Sequence, residues 1–348
     1  MLPVKGVKMR IALDAMGSDG APVPDVQGGV QAARRFGQEI ILVGREEVVR
    51  AELAKHDTTG LPISVVHAGQ VIEMSEHPSQ AVKDKPDSSI VVGMRLVRDG
   101  QADAFVSMGN SGGMLAASLI SAGRLGRIPG VRRPALSSII PNLTGYSFML
   151  DIGANTDCQP AWLAQFAVMG AAYARQVLGI ANPRVGLLSS GEEETKGSEV
   201  VQAAHQLLKG LGLNFVGNVE GKDIPAGLAD VVVSDGFAGN IAIKTAEGTA
   251  KMLLATIKAE IKARPLAMLG GLLAKPALAA AGKRLDYRQY GGAPLLGVNG
   301  VVIVGHGRSD ALAVENAVGV AINAVDKRVV EVITQEIAAS QASLGAEA

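Results

Sequence analysis

The 348-residue chain is 48% hydrophobic, 19% charged and 3% aromatic, with 43 glycines, a globular composition large enough for one α/β unit or two lobes. Its 33 Lys and Arg balance 33 Asp and Glu, which excludes a chain-wide field for nucleic acid and leaves charged partners to local patches. Cys158 stands alone, which excludes an intrachain disulfide framework and a cysteine-based metal site. The first 14 residues lack an apolar signal core and no run reaches ~18 uninterrupted apolar residues, so the expectation is a cytoplasmic protein, neither secreted nor membrane-spanning.

In chain order, short apolar runs at residues 11–14, 40–43, 104–107, 185–188 and 231–234 each precede a helical pattern, the rhythm of parallel βαβ units. Small or polar turns follow at residues 14–19, 109–113, 151–155, 191–194, 235–240 and 305–310. In a parallel sheet such turns share one edge, where ligands bind. No repeat or linker divides the chain, so residues 1–348 read as one catalytic unit or two interleaved lobes around one cleft, with 334–348 as a flexible tail.

Residues 246–285 break the rhythm. Helical patterns over 248–263 and 266–285, separated by Pro265 and broken again at Pro276, predict a projecting helical hairpin. Its leucines and isoleucines are interspersed with Lys251, Lys258, Lys262, Arg264, Lys275, Lys283 and Arg284, against Glu260 alone. A basic amphipathic hairpin suits an anionic bilayer surface, and equally a dimer contact with solvated lysines.

Phosphate needs directed N–H donors. Gly109, Asn110, Ser111 and Gly112 lie just before a helical run, where glycines allow close backbone approach and helix N-terminal amides grip an oxyanion. Neither a P-loop nor the Gly-x-Gly-x-x-Gly fingerprint occurs, which removes support for nucleoside triphosphate and Rossmann-type NAD chemistry. The turn after residue 188 carries three glutamates, readable as a solvated cap, and Lys196. A cation at a helix mouth opposes the dipole unless an anion is near, which marks Lys196 for phosphate or thioester. Residues 235–244 combine Asp235, Asn240 and Lys244. Residues 305–310 offer His306, a proton donor or a plain turn residue, with Ser309 and Asp310, also readable as helix caps.

Eight ordered blocks resemble the phosphate acyltransferase (PlsX) family over residues 11 to about 320: those beginning at Ala12, Ser107, Arg133, Leu150, Val185, Phe215, Asp235 and Tyr290. Departures at Ser18, Ser111, Gly113, Ser189 and Ser190 bear on acyl preference. The resemblance implies a three-layer α/β/α fold with a mostly parallel sheet, similar to phosphotransacetylases and isopropylmalate-type dehydrogenases. It implies a homodimer without metal or organic cofactor, loosely associated with the membrane. The implied reaction is reversible transfer of a fatty acyl group from acyl carrier protein to inorganic phosphate, giving acyl phosphate for phosphatidic acid and phospholipid synthesis. A membrane glycerol-3-phosphate acyltransferase would consume the product. Catalytic candidates are then Lys196, Asp235, Asn240 and His306. Substrate contacts are Asp14, Gly109, Asn110, Ser111, Gly112, Asn155, Lys244, Asn299 and Ser309. An acyl-enzyme on Cys158 would need an adjacent base and a depressed thiol pKa. Rival readings are a coenzyme A-dependent acetyl or butyryl transferase, a hydroxy-dicarboxylate dehydrogenase and a non-catalytic membrane scaffold.

Overall fold

The computed structural model describes residues 8–284 and 290–341. In chain order the elements are β1 (Arg10–Asp14), α1 (Val23–Phe36), β2 (Glu39–Gly44), α2 (Glu46–Leu53), β3 (Ile63–His67), α3 (Pro78–Asp84), α4 (Ser89–Arg98), β4 (Ala104–Ser107) and α5 (Ser111–Ile120). There follow β5 (Ala135–Asn142), β6 (Gly145–Leu150), α6 (Pro160–Gln176), β7 (Val185–Leu188), α7 (Glu199–Lys209), β8 (Phe215–Val219), α8 (Asp223–Ala226) and β9 (Val231–Val233). The chain ends with α9 (Gly236–Ala263), α10 (Pro265–Arg284), β10 (Ala293–Leu296), β11 (Val301–Val304), α11 (Ala311–Asp326) and α12 (Val329–Ser340).

The strands form one eleven-stranded sheet in the order β3-β2-β1-β4-β11-β10-β5-β6-β9-β7-β8. Pairing is parallel through β11 and again from β6 to β8, but β10 is antiparallel to both β11 and β5, and β5 is antiparallel to β6. These reversals point the two parallel halves in opposite directions. The expectation that six turns share one edge is therefore corrected. Turns 14–19, 109–113 and 305–310 lie at one edge, whereas 151–155, 191–194 and 235–240 begin at the other.

Strand alternation sorts the core into two faces. Ile11, Leu13, Ile40, Leu42, Val231 and Val233 join α1, α6, α11 and α12 in one continuous cluster. On the opposite face Ala12, Ile41 and Val43 meet α4 and α5, while Met149 and Val232 meet α8 and α9 in a separate cluster. Helices thus cover both faces, but on the second they part over β5 and β10. Fully burying each of Phe105, Phe148 and Phe166 contributes about 1.5–3 kcal/mol, so both halves are independently well anchored.

The hairpin is longer than its sequence pattern. Asp235 accepts a hydrogen bond from Ala238 N–H and starts α9 at Gly236, upstream of residue 248. Helix α10 runs through Pro276, flanked by Lys275 and Ala277, strong helix formers that outweigh the missing N–H; Leu285 lies outside the described residues. Pro265–Lys283 is long and apolar enough, by length and composition, to cross a membrane, and none of it is buried. The predicted tail from 334 is also corrected: α12 extends to Ser340 because Ile333 and Ile337, four residues apart, are buried in the main core. Residues 342–348 lie outside the described residues.

Gly239, in the first turn of α9, fixes that helix against the Asp151 backbone, since a Cβ there would stand 1.9 Å from the Asp151 carbonyl oxygen. We expect Gly239→Ala to lower stability by about 1–3 kcal/mol in urea unfolding, because the contact is backbone and cannot rotate away. A melt unchanged from wild type would show that α9 is not seated this way.

Candidate functional site

A cavity of about 450 Å³ fills the gap between the two clusters of the second face. Gly109, Ser111, His306, Gly307 and Ser309 line one end, at the edge formed by β4 and β11. Leu136, Ser138 and Ile139 of β5 form its floor. Asn240, Ile243, Lys244 and Glu247 line the other side, at i, i+3, i+4 and i+7 on one face of α9.

Turn 109–113 is organised by hydrogen bonds that the sequence only partly foretells. Asn110 is the N-cap of α5: its side-chain oxygen accepts from Gly113 N–H (2.9 Å), and its amide donates to the Glu73 carbonyl (3.1 Å). That side chain and the Gly113 amide are committed to each other, leaving the Ser111 and Gly112 amides at the helix N-terminus and Ser111 on the cavity lining. Gly109 N–H donates to Ser107 Oγ (3.0 Å), whose hydroxyl donates to Asp14 (2.7 Å). Asp14 is fully buried and acts on the turn through Ser107, not on a ligand.

Turn 14–19 is wedged between the other two turns at this edge. A Cβ on Gly17 would lie 2.9 Å from Gly109 N, and Asp19 N–H donates to the Gly307 carbonyl (2.7 Å). Beneath it Ser18 Oγ donates to Asp25 Oδ2 (2.5 Å), while Asp25 Oδ1 has no hydrogen-bond partner among the described residues. Burial, and then the nearby Asp14, push the Asp25 carboxyl up to about 7. Sequence reading missed Asp25, since an acid in the first turn of a helix looks like an ordinary dipole partner, and marked Ser18 only as a departure from the family pattern.

At the cavity wall, His306 Nδ1 accepts from Arg308 N–H (3.1 Å). Burial, followed by the Lys244 charge, holds its pKa below the ordinary histidine value. The ring is neutral at pH 7, and with Nδ1 accepting, its proton sits on Nε2. It is a hydrogen-bond donor, and its depressed pKa argues against the general-acid role read from sequence. Lys244 Nζ stands 3.7 Å from Glu247.

Of the remaining candidates, Asn240 lines the cavity from α9, and Asn155, Lys196, Asp235 and Asn299 do not. Asp151 accepts N–H bonds from Leu136, Gly153, Ala154 and Asn155, and the Asn155 amide bonds both Asp151 and the Pro134 carbonyl, a structural knot. Asp235 caps α9, and Asn240 donates to the Ile152 carbonyl (3.1 Å), tying α9 to that turn. Lys196 is exposed on the turn after β7, at the edge opposite Gly109. That turn is held by Asn218, which donates to the Glu193 carbonyl (2.7 Å), and by Lys209 paired with Glu194 (2.7 Å). Asn299 precedes β11, so it lies at the far end of the strand from His306, with its N–H on the Gly126 carbonyl. Direction reversal at β10 and β5 separates these residues from the cavity. Burial and neighbouring Asp151 push the Cys158 thiol up to about 12, which leaves no thiolate for covalent catalysis. Among the described residues one acidic trio, Glu192, Glu220 and Asp223, could gather a cation, but Lys222 already pairs with Glu192 and Glu220.

Residues 9–332 match the model of a family described as "Fatty acid synthesis protein". A phosphate acyltransferase of Pelotomaculum thermopropionicum is 52% identical over 94% of this chain and 95% of that one. One from Herpetosiphon aurantiacus is 49% identical over 94% and 98%. The chain belongs to this family. Among solved structures, the EutD phosphotransacetylase of Staphylococcus aureus superposes with a TM-score of 0.60 at 20% identity, covering 92% of this chain and 94% of that one. A branched-chain phosphotransacylase of Enterococcus faecalis gives 0.56 at 15%, covering 91% and 99%. At such identity these two share the fold alone, a three-layer α/β/α arrangement around a large mixed sheet.

Asp25 yields a pH-dependent outcome. With the folded pKa near 7 and the unfolded value at 3.8, the unfolded state releases its proton first. Stability therefore falls as pH rises from about 4 to about 7 and levels off above, by up to about 4 kcal/mol. Asp25→Asn should reduce that slope in urea unfolding at pH 5, 6, 7 and 8; an identical slope would show that Asp25 titrates normally.

Proposed function

We propose that the chain transfers a fatty acyl group from a carrier-protein thioester to inorganic phosphate, releasing acyl phosphate for phospholipid synthesis. The observation that carries this is a single cavity with an anion-binding helix terminus at one end and an apolar wall at the other. The family and its relatives, named phosphate acyltransferases at about half identity over nearly the whole chain, support the same reading. A short-chain transfer with coenzyme A draws only on distant fold neighbours.

Phosphate is held by the first-turn amides of α5 and by Ser111, with Ser309 beside it. As an anion at neutral pH it needs no strong base. A phosphate oxygen attacks the thioester carbonyl carbon, forming the new C–O bond. The tetrahedral oxyanion collapses, the C–S bond breaks, and the carrier leaves as a thiolate that takes a proton from solvent. Lys244 and the Nε2–H of His306 stabilise the charge on phosphate and oxyanion, while Asn240 keeps α9 in register.

The exposed hairpin supports the finer parts of this reading. Leu266, Leu269, Leu272 and Leu273 stand 66–85% exposed on α10. Such a surface fits contact with a second copy or with an anionic bilayer, where a cytoplasmic enzyme would hand a lipophilic product to a membrane glycerol-3-phosphate acyltransferase.

Purified protein mixed with acyl-carrier thioester and phosphate should form hydroxylamine-reactive acyl phosphate; thioester consumption without that product would refute the reaction. Lys244→Ala should lower kcat/KM at least ~10-fold, equivalent to losing ~1.4 kcal/mol of transition-state stabilisation. Unchanged kinetics across a phosphate titration would remove Lys244 from the site.

A further inference from the structure

The cavity changes character along its length. Its polar end gathers Ser111, His306, Ser309 and Lys244, and its far wall is made by Ile152 and Ile243. Ile152 and Ile243 are partly buried and pack on the small third core cluster. Backbone and side-chain bonds hold this wall rigid: Ile152 N–H donates to the Leu136 carbonyl (3.0 Å), and Asn240 reaches the Ile152 carbonyl from α9.

Attack requires phosphate and the thioester carbonyl about 3–3.5 Å apart, so phosphate at the α5 terminus fixes where the acyl carbonyl sits. From there a hydrocarbon chain cannot turn back among the polar turns without desolvating them. A cavity of about 450 Å³ also far exceeds what a phosphate fills.

We propose that the acyl chain runs across β5 toward Ile152 and Ile243, and that these two side chains set the longest chain accepted. The inference rests on the phosphate acyltransfer reading. Each methylene housed there improves binding about fourfold, until the chain meets the wall. Beyond that length a fixed wall turns gain into exclusion.

The test compares kcat/KM for 8-carbon and 16-carbon acyl-carrier thioesters in wild type, Ile243→Phe, Ile152→Phe and Ile243→Ala. The ratio of long to short donor should fall at least ~10-fold in both Phe variants and rise in Ile243→Ala. An unchanged ratio with measurable turnover overturns the chain assignment while leaving the reaction intact. Absence of acyl phosphate from wild type with either donor overturns the reaction itself. Should a Phe variant lose turnover with both donors, the Ala variant decides by the same ratio.

Discussion

Strands β10 and β5 run against their neighbours, and the position of every functional group follows from that reversal. Each half of the sheet is an ordinary parallel unit, yet the halves point opposite ways. On one face α1, α6, α11 and α12 bridge the junction in a single core. On the other, each half keeps its own helices and the cavity opens over parts of β5 and β10. The cavity is the space left between two separately satisfied cores. Its floor is apolar because it is sheet surface, and its rim is polar because turns end there.

The polar rim poses an electrostatic problem. Two acids, Asp14 and Asp25, are buried beneath a turn suited to anions. Asp14 is stabilised by hydrogen bonds from Ser107 and Met16 N–H, and Ser107 in turn accepts from Gly109 N–H. Among the described residues Asp25 accepts one side-chain bond, from Ser18, and burial and then the nearby Asp14 push its carboxyl up to about 7. Burial raises the Asp14 carboxyl as well, so both acids beneath the turn are pushed toward their neutral forms, while α5 presents its positive end to the cavity.

Helix α9 joins the site to the projecting hairpin. Gly239 permits its close approach to the Asp151 turn, Asn240 fastens it there, and the next two turns supply Ile243, Lys244 and Glu247. The same helix continues to Ala263 and packs against α10, so anything covering the hairpin presses on an element that forms the cavity wall.

The sequence by itself determined five of the eleven strands, the glycine-rich turn at 109–113, the presence of a hairpin and the family resemblance, because period, turn chemistry and glycine placement are local properties. It marked Gly109, Ser111, Lys244, His306 and Ser309 for one site, and the fold brings those five together. It also grouped Lys196, Asp235, Asn155 and Asn299 with them, since every one sits near a strand end. Which edge a strand end occupies depends on the direction of its partners, and the pairing of β10 with β5 joins residues more than 150 apart in sequence. Asp25 was invisible for the same reason. Local pattern says that an acid starts a helix, but only tertiary burial decides whether it keeps its charge.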